Sequence, residues 1–183
     1  MSVASQISRA LRLTVLLWVL TVVVLTLPLL GLARLVAPEA AAGSVLRRDG
    51  AVVGSRLLGQ PFHSPRYLWG RPDGDPNLAA TSPALTQRVA AAATAWHAAG
   101  LERPPADLLL DSGSGVDPHL SLEAARQQWP RLVRERGLSV SQLDDLLRQH
   151  LEGPRTLRAI EPLVNVLRFN LALDALEPVP PRP

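Results

Sequence analysis

The stretch LTVLLWVLTVVVLTLPLLGLA, residues 13–33, carries no charged side chain and is bounded by Arg12 and Arg34. As an α-helix it would measure about 31 Å, the thickness of a bilayer's hydrocarbon core. Leu and Val cover it on every side, interrupted by Trp18, three Thr and Pro28, whereas a helix lying on a soluble core keeps a polar face. A cleaved secretory signal has an apolar stretch of only about 7–15 residues, although Ala40-Ala41-Ala42 before Gly43 satisfies its small-residue cleavage rule. The reading is an uncleaved transmembrane anchor over 13–34 behind a short segment 1–12. One soluble domain follows over 35–176, then a Pro-rich tail over 177–183, expected to be extended. The competing reading is a secreted binding domain released at Ala42.

Outward from the span, charge divides unevenly. The segment 1–34 holds Arg9, Arg12 and Arg34 and no acid, while the remaining sixteen Arg are matched by all sixteen Asp and Glu of the chain. The net charge of +3 therefore belongs to the anchor, and the soluble part offers no basic surface for nucleic acid. All basic residues are Arg, so Lys Schiff-base chemistry and a P-loop lysine are excluded. Without Cys there is no disulfide, thiolate nucleophile or thiolate metal site. Arg9 and Arg12 precede the span and Arg34, Arg47 and Arg48 follow it, which gives no positive-inside asymmetry. A long following domain translocates largely regardless of charge. A cytoplasmic N-terminus with the bulk of the chain outside is expected.

The soluble part reads as a small α/β (α+β) domain with a β-hairpin and several short helices. Asp49-Gly50 between β-prone runs predicts strands near 44–48 and 51–57. The stretch 60–82 has no sustained period, yet Phe62, Tyr67 and Trp69 argue that it packs on the domain. Ser82-Pro83 opens a helix with Leu85, Val89, Ala92, Ala93, Trp96 and Ala99 on one face, closed by Gly100. Residues 107–111 read as a buried strand or extended segment, although Leu favours that less than Val or Ile would. A helix begins at Ser121, is interrupted near Pro130 and ends near Gly137. Ser139 and Gln142 have capping-box spacing ahead of a helix that places Val140, Leu143, Leu146, Leu147 and His150 on one face. Val164 to Leu167 reads as a strand and Asn170 to Leu176 as helix.

For chemistry, the conspicuous cluster is Ser112, Gly113, Ser114, Gly115, Asp117, Pro118 and His119. It fails the G-x-S-x-G spelling of a hydrolase elbow because position 112 is Ser. Asp117 and His119 are too few for a metal site, and the flanking carboxylates repel phosphate. A tight turn that uses its glycines for positive φ is the plain reading. An anchored extracytoplasmic serine hydrolase using Ser112 or Ser114 with His119 is the alternative from another class. In the span, Thr14, Trp18, Thr21 and Leu25 follow helical spacing and could face a partner helix, although threonine also bonds its own helix.

Read in order, four segments resemble the C subunit of the potassium-transporting Kdp P-type ATPase. Gly54-Ser55-Arg56-Leu57-Leu58-Gly59-Gln60-Pro61-Phe62 is similar to the family's GS-x-LIGQ-x-F element, and Tyr67-Leu68-Trp69-Gly70-Arg71-Pro72 to its YF-x-GRP element. Residues 112–121 resemble SGSGLDPHIS, and Asn165, Asn170 and Asp174 fall in a stretch that resembles VNVL-x-LNLALD. Residues 73–81 are shorter than the family's Ser/Gly/Asn-rich stretch, and 157–163 depart from its LGFLGEPR.

The resemblance implies a single-pass accessory subunit in the bacterial inner membrane, without catalysis of its own. Its implied partners are the potassium-conducting subunit, the ATP-hydrolysing subunit and the lipid bilayer. It further implies a role in assembly, a catalytic-chaperone effect that raises the ATPase subunit's affinity for ATP, and a cap at the potassium entry. No tightly bound cofactor is implied; ATP would be met only within the complex.

Overall fold

The computed structural model describes residues 2–75, 77–153 and 161–176, so the tail 177–183 and most of the divergent 157–163 stretch lie outside the described residues. The chain divides into two units, residues 1–45 and 46–183.

The first unit is a helix, α1, over Val3–Val36, with none of its side chains buried. It starts earlier than the uncharged stretch because Ser2 caps it, its side chain accepting from the Ser5 N–H. Residues 3–12 run into the span as one helix. Pro28 has no N–H to give and its ring crowds the carbonyl four residues back. The helix answers by widening to π geometry over Thr21–Thr26, where the Leu27 N–H reaches back to the Val22 carbonyl. Beyond Val36 a single turn, α2, covers Pro38–Ala41.

The predicted hairpin, β1 (Val45–Arg48) and β2 (Ala51–Ser55), begins on the last residue of the first unit and continues into the second. Asp49 (φ 51°) and Gly50 (φ 79°) are both left-handed, the requirement of a type I′ turn. β2 stops at Ser55, short of residue 57, because the Leu57 N–H turns onto the Ser55 hydroxyl at 3.1 Å. The helix α3 covers Pro83–Ala98; Leu85, Val89, Ala92, Ala93 and Trp96 of the expected face are shielded, Trp96 to the point of burial, and Ala99 is shielded at the cap. Ser82 sits at the cap, but its side chain makes no capping bond.

Residues 107–111 are not a strand. Ala106–Leu109 is a single helical turn, α4, with Pro105 at the cap. Leu prefers helix to strand, and Pro105 is extended at the cap, so the turn begins at Ala106. The expected interruption after Ser121 yields two helices, α5 (Leu122–Arg126) and α6 (Trp129–Arg136), with Pro130 in the first turn of the second and Gly137 (φ 70°) closing it. The capping box at Ser139 opens α7 (Val140–Gln149); Leu143, Leu146 and Leu147 are buried, while Val140 is exposed.

Three short strands, β3 (His119–Ser121), β4 (Leu151–Glu152) and β5 (Leu163–Asn165), form an antiparallel sheet in the order β3-β5-β4. His119 pairs with Asn165 and Leu151 with Val164. The last helix, α8 (Val166–Leu176), starts four residues before Asn170, so Val166 and Leu167 belong to helix rather than strand. The apolar core lies among these elements, with Leu68, Leu108, Leu120, Leu132 and Phe169 fully buried and Trp129 stacked on Phe169 at 5.7 Å.

Candidate functional site: four segments around one cleft

The irregular stretch before α3 is held by side chains that replace secondary structure. Asn170, 1% exposed, gives its Nδ2 to the Leu68 carbonyl (2.9 Å) and takes the Leu68 N–H on Oδ1 (2.8 Å). Gln128 treats Trp69 alike, accepting its N–H at 2.9 Å and donating to its carbonyl at 3.0 Å. Arg131 lies 4.0 Å from the Trp69 ring centre and donates to the Pro65 and Tyr67 carbonyls at 2.7 and 2.9 Å. Burial pulls the Arg131 guanidinium down to about 10, still protonated at neutral pH. Every backbone polar group so held has a partner, which is how a segment without helix or strand can be fixed on a core.

Asp174 ties three elements to α8. It accepts from Tyr67 Oη at 3.0 Å and Arg136 Nη2 at 2.8 Å, and from Arg48 of the hairpin. Burial alone would raise its pKa, but hydrogen bonds from Arg136, Arg48 and Tyr67 outweigh that and hold the carboxyl below its ordinary value.

So positioned, Arg71 gives Nη2 to Asp107 Oδ1 (2.9 Å) and Nε to the His119 carbonyl (3.3 Å), while Asp107 Oδ2 takes the Ser121 N–H (2.8 Å). The 112–119 loop closes on itself. Ser112 Oγ accepts the Asp117 N–H at 3.1 Å and lies 3.3 Å from Ser114 Oγ, and the Gly115 N–H returns to the Ser112 carbonyl at 3.0 Å. Gly115 (φ 74°) takes the left-handed position; Gly113 does not. The loop is fastened outward by Gly59 N–H to the Val116 carbonyl (2.7 Å) and Val166 N–H to the Pro118 carbonyl (2.9 Å). A Cβ on Gly59 would stand 3.0 Å from the Asp117 carbonyl oxygen, so only glycine fits comfortably. Asn165 Nδ2 donates to the Arg56 carbonyl at 2.8 Å, tying the first segment to the last. Gly54 admits the Gln60 amide against its backbone, and a Cβ added at Gly70 would meet the Val166 side chain at 3.8 Å, an ordinary contact.

His119 bridges two carboxylates, with Nδ1 2.7 Å from Asp117 and Nε2 3.1 Å from Glu152. A neutral imidazole has one N–H to give, so both contacts are donor–acceptor pairs only in the imidazolium form. Burial pushes Glu152 up, yet hydrogen bonds from His119 and Arg168 prevail and leave its carboxyl below the usual range.

Residues of all four segments line one cleft, among them Gly59 and Gln60, Gly70, Arg71 and Pro72, Ser112, Asp117 and Pro118, and Val166. Its cavity of about 20 Å³ has room for roughly one water. A larger, more apolar groove of about 250 Å³ adjoins it between Phe62, Trp69 and Trp96.

The arrangement does not assemble a serine nucleophile. Both ring nitrogens of His119 face carboxylates, and the hydroxyls of Ser112 and Ser114 serve the loop, with no Ser–His hydrogen bond among the described residues. Among the described residues no three His, Asp or Glu converge as metal ligands. Thr14, Trp18, Thr21 and Leu25 lie exposed on α1 in the other unit, and the Thr21 hydroxyl is returned to the Leu17 carbonyl at 2.8 Å. Gln128, Arg131 and Glu152 were not legible as members because each sits in a polar helical or turn context that reads as solvated surface, and Asp107 and Arg168 lie in apolar runs that drew attention to packing instead.

The family model of the K+-transporting ATPase c chain, KdpC, matches residues 7–175. The chain belongs to this family. Relatives named potassium-transporting ATPase KdpC subunit include one from Sorangium cellulosum, 44% identical over 158 residues that cover 78% of this chain and 83% of the relative. One from Allorhizobium ampelinum is 42% identical over 93% of this chain and 96% of its own length. One from Pectobacterium atrosepticum is 41% identical over 94% of this chain and 100% of its own. The chain is thus a KdpC subunit of a potassium-transporting ATPase, and α1 is long and apolar enough to cross a membrane once.

Proposed function

We propose that this KdpC subunit works by binding and not by bond chemistry, joining the potassium-conducting and ATP-hydrolysing subunits of the pump from a single anchor. Its N-terminus lies in the cytoplasm and the bulk of the chain outside. The observation that carries this reading is the cleft: four separate segments are spent on holding one loop through hydrogen bonds to one another, although the buried Gln60 Oε1 has no partner among the described residues, and the remaining space fits about one water. A surface so fixed is suited to present a shape to another protein, since little ordering entropy is left to lose on docking.

In this complex the chain acts as a catalytic chaperone that raises the ATPase subunit's affinity for ATP. With the domain outside, the effect is indirect, and it requires that the chain bind one conformational state of the pump better than another. A tenfold gain in ATP affinity corresponds to about 1.4 kcal/mol of coupling, and by reciprocity ATP tightens this chain's attachment by the same factor. A second duty is to cap the potassium entry, where the carbonyls and Asp117 of the 112–119 loop would tune the approach of cations. Titrating ATP against the pump with and without this chain tests the chaperone role. Tighter ATP binding in its presence is expected, and identical affinities would refute it.

A further inference from the structure

The hairpin and the three residues after it carry charge and apolar surface that the fold does not use. Val52, Leu57 and Leu58 are 57%, 56% and 49% exposed. Arg47 is exposed and spends one N–H on the Gly50 carbonyl, and Arg56 is exposed with no side-chain partner among the described residues. Neither meets a carboxylate there. Arg48, by contrast, is neutralised by Asp174, and Asp49 at the turn is the one acid between residues 44 and 58.

The chain itself limits where this surface can go. Eight residues, 37–44, separate the end of α1 from β1, so even a fully extended connection keeps the hairpin within about 30 Å of the helix end. Guanidinium groups among aliphatic side chains, tethered close to a bilayer, match the requirements of an interfacial element. The aliphatic groups enter the headgroup boundary, and the Arg side chains meet anionic phosphates.

The geometry points to the hairpin β1–β2 and its Leu57-Leu58 extension as a second membrane contact, a foot that rests on an anionic lipid surface beside the anchor. Leu58 also lines the 112–119 cleft, so the foot and the cleft share that residue.

The chain contains no Cys, so single cysteines introduced at chosen sites carry a label uniquely. The full chain would be reconstituted in vesicles of equal parts phosphatidylcholine and phosphatidylglycerol, with an environment-sensitive fluorophore at Leu57→Cys or Val52→Cys. Thr94→Cys on α3 serves as the water-exposed reference and Leu25→Cys as the control for insertion of the anchor. Relative to Thr94→Cys, the hairpin labels should emit further to the blue and be quenched by spin labels placed at the lipid headgroups. The difference should be lost in phosphatidylcholine alone and in the R47A/R56A background, where the one described side-chain hydrogen bond removed is the exposed one from Arg47 to the Gly50 carbonyl. Hairpin labels quenched no more than Thr94→Cys, with Leu25→Cys quenched as expected, would overturn the proposal while leaving the anchor intact. A blue shift that arises only when the other pump subunits are added would equally overturn it, assigning the face to a protein partner. An unquenched Leu25→Cys would overturn the anchor and the foot together.

Discussion

Replacing Asn170 by Ala tests whether side chains truly hold the 65–72 segment in place. Asn170 is 1% exposed and binds both the N–H and the carbonyl of Leu68, itself fully buried. The truncated side chain leaves two desolvated backbone groups without partners, at about 1–3 kcal/mol each, with access of water offsetting part of the loss. A total of about 4 kcal/mol is a large share of the roughly 5–15 kcal/mol that stabilises an ordinary domain. For a domain of this size, with about 4 °C per kcal/mol, the midpoint should fall by about 16 °C. Thermal unfolding of the full chain in detergent, followed by near-ultraviolet circular dichroism of Trp69, Trp96 and Trp129, reads this directly. Exposed Asn77→Ala supplies the reference, expected within about 0.5 kcal/mol of the parent. If Asn170→Ala shifted the midpoint by no more than Asn77→Ala, the stapling argument would fail.

Acid should reveal the Asp174 knot. Its folded pKa lies below the unfolded value, so its stabilisation is fully present above about pH 4 and fades as pH falls through the folded value. Asp174→Asn should therefore be less stable than the parent at pH 7, by about 1–3 kcal/mol for the weakened hydrogen bonds, and the gap should close in acid; a gap constant with pH would contradict this. Gly59→Ala forces a methyl to 3.0 Å from the Asp117 carbonyl. A loss of about 1–3 kcal/mol is expected, together with faster amide exchange at position 59 and at Asp117; unchanged exchange at both would show that the loop yields freely. Carbonate extraction of membranes should leave the intact chain in the pellet, and its release would rule out the anchor.

What could be read from the sequence was local. The Asp49-Gly50 turn, the Ser139 capping box, Gly137 as a helix stop and the uncharged run at 13–33 each encode their geometry within a few residues. The cleft could be guessed only as a set of family segments, because its assembly depends on partners far apart in the chain. Asn165 reaches Arg56, Asn170 reaches Leu68 and Asp174 reaches Tyr67, each across more than a hundred residues. Residues 107–111 misled because an apolar run of that length is compatible with either period, and three consecutive Leu decided for a helical turn behind Pro105. Of the sheet, β5 was anticipated in part by the reading of Val164 to Leu167 as a strand, whereas β3 and β4 are three and two residues long, too short for alternation to be visible. The π turn in α1 needed the structure to show how Pro28 is accommodated without breaking the span.

Co-purification of the tagged full chain from detergent-solubilised membranes bears most directly on a binding role centred on the 112–119 loop. The account predicts recovery of both larger pump subunits with the parent chain and their loss with a folded variant carrying S112A and H119A. Recovery of the parent chain without an ATPase, or undiminished partners with the loop variant, would contradict it.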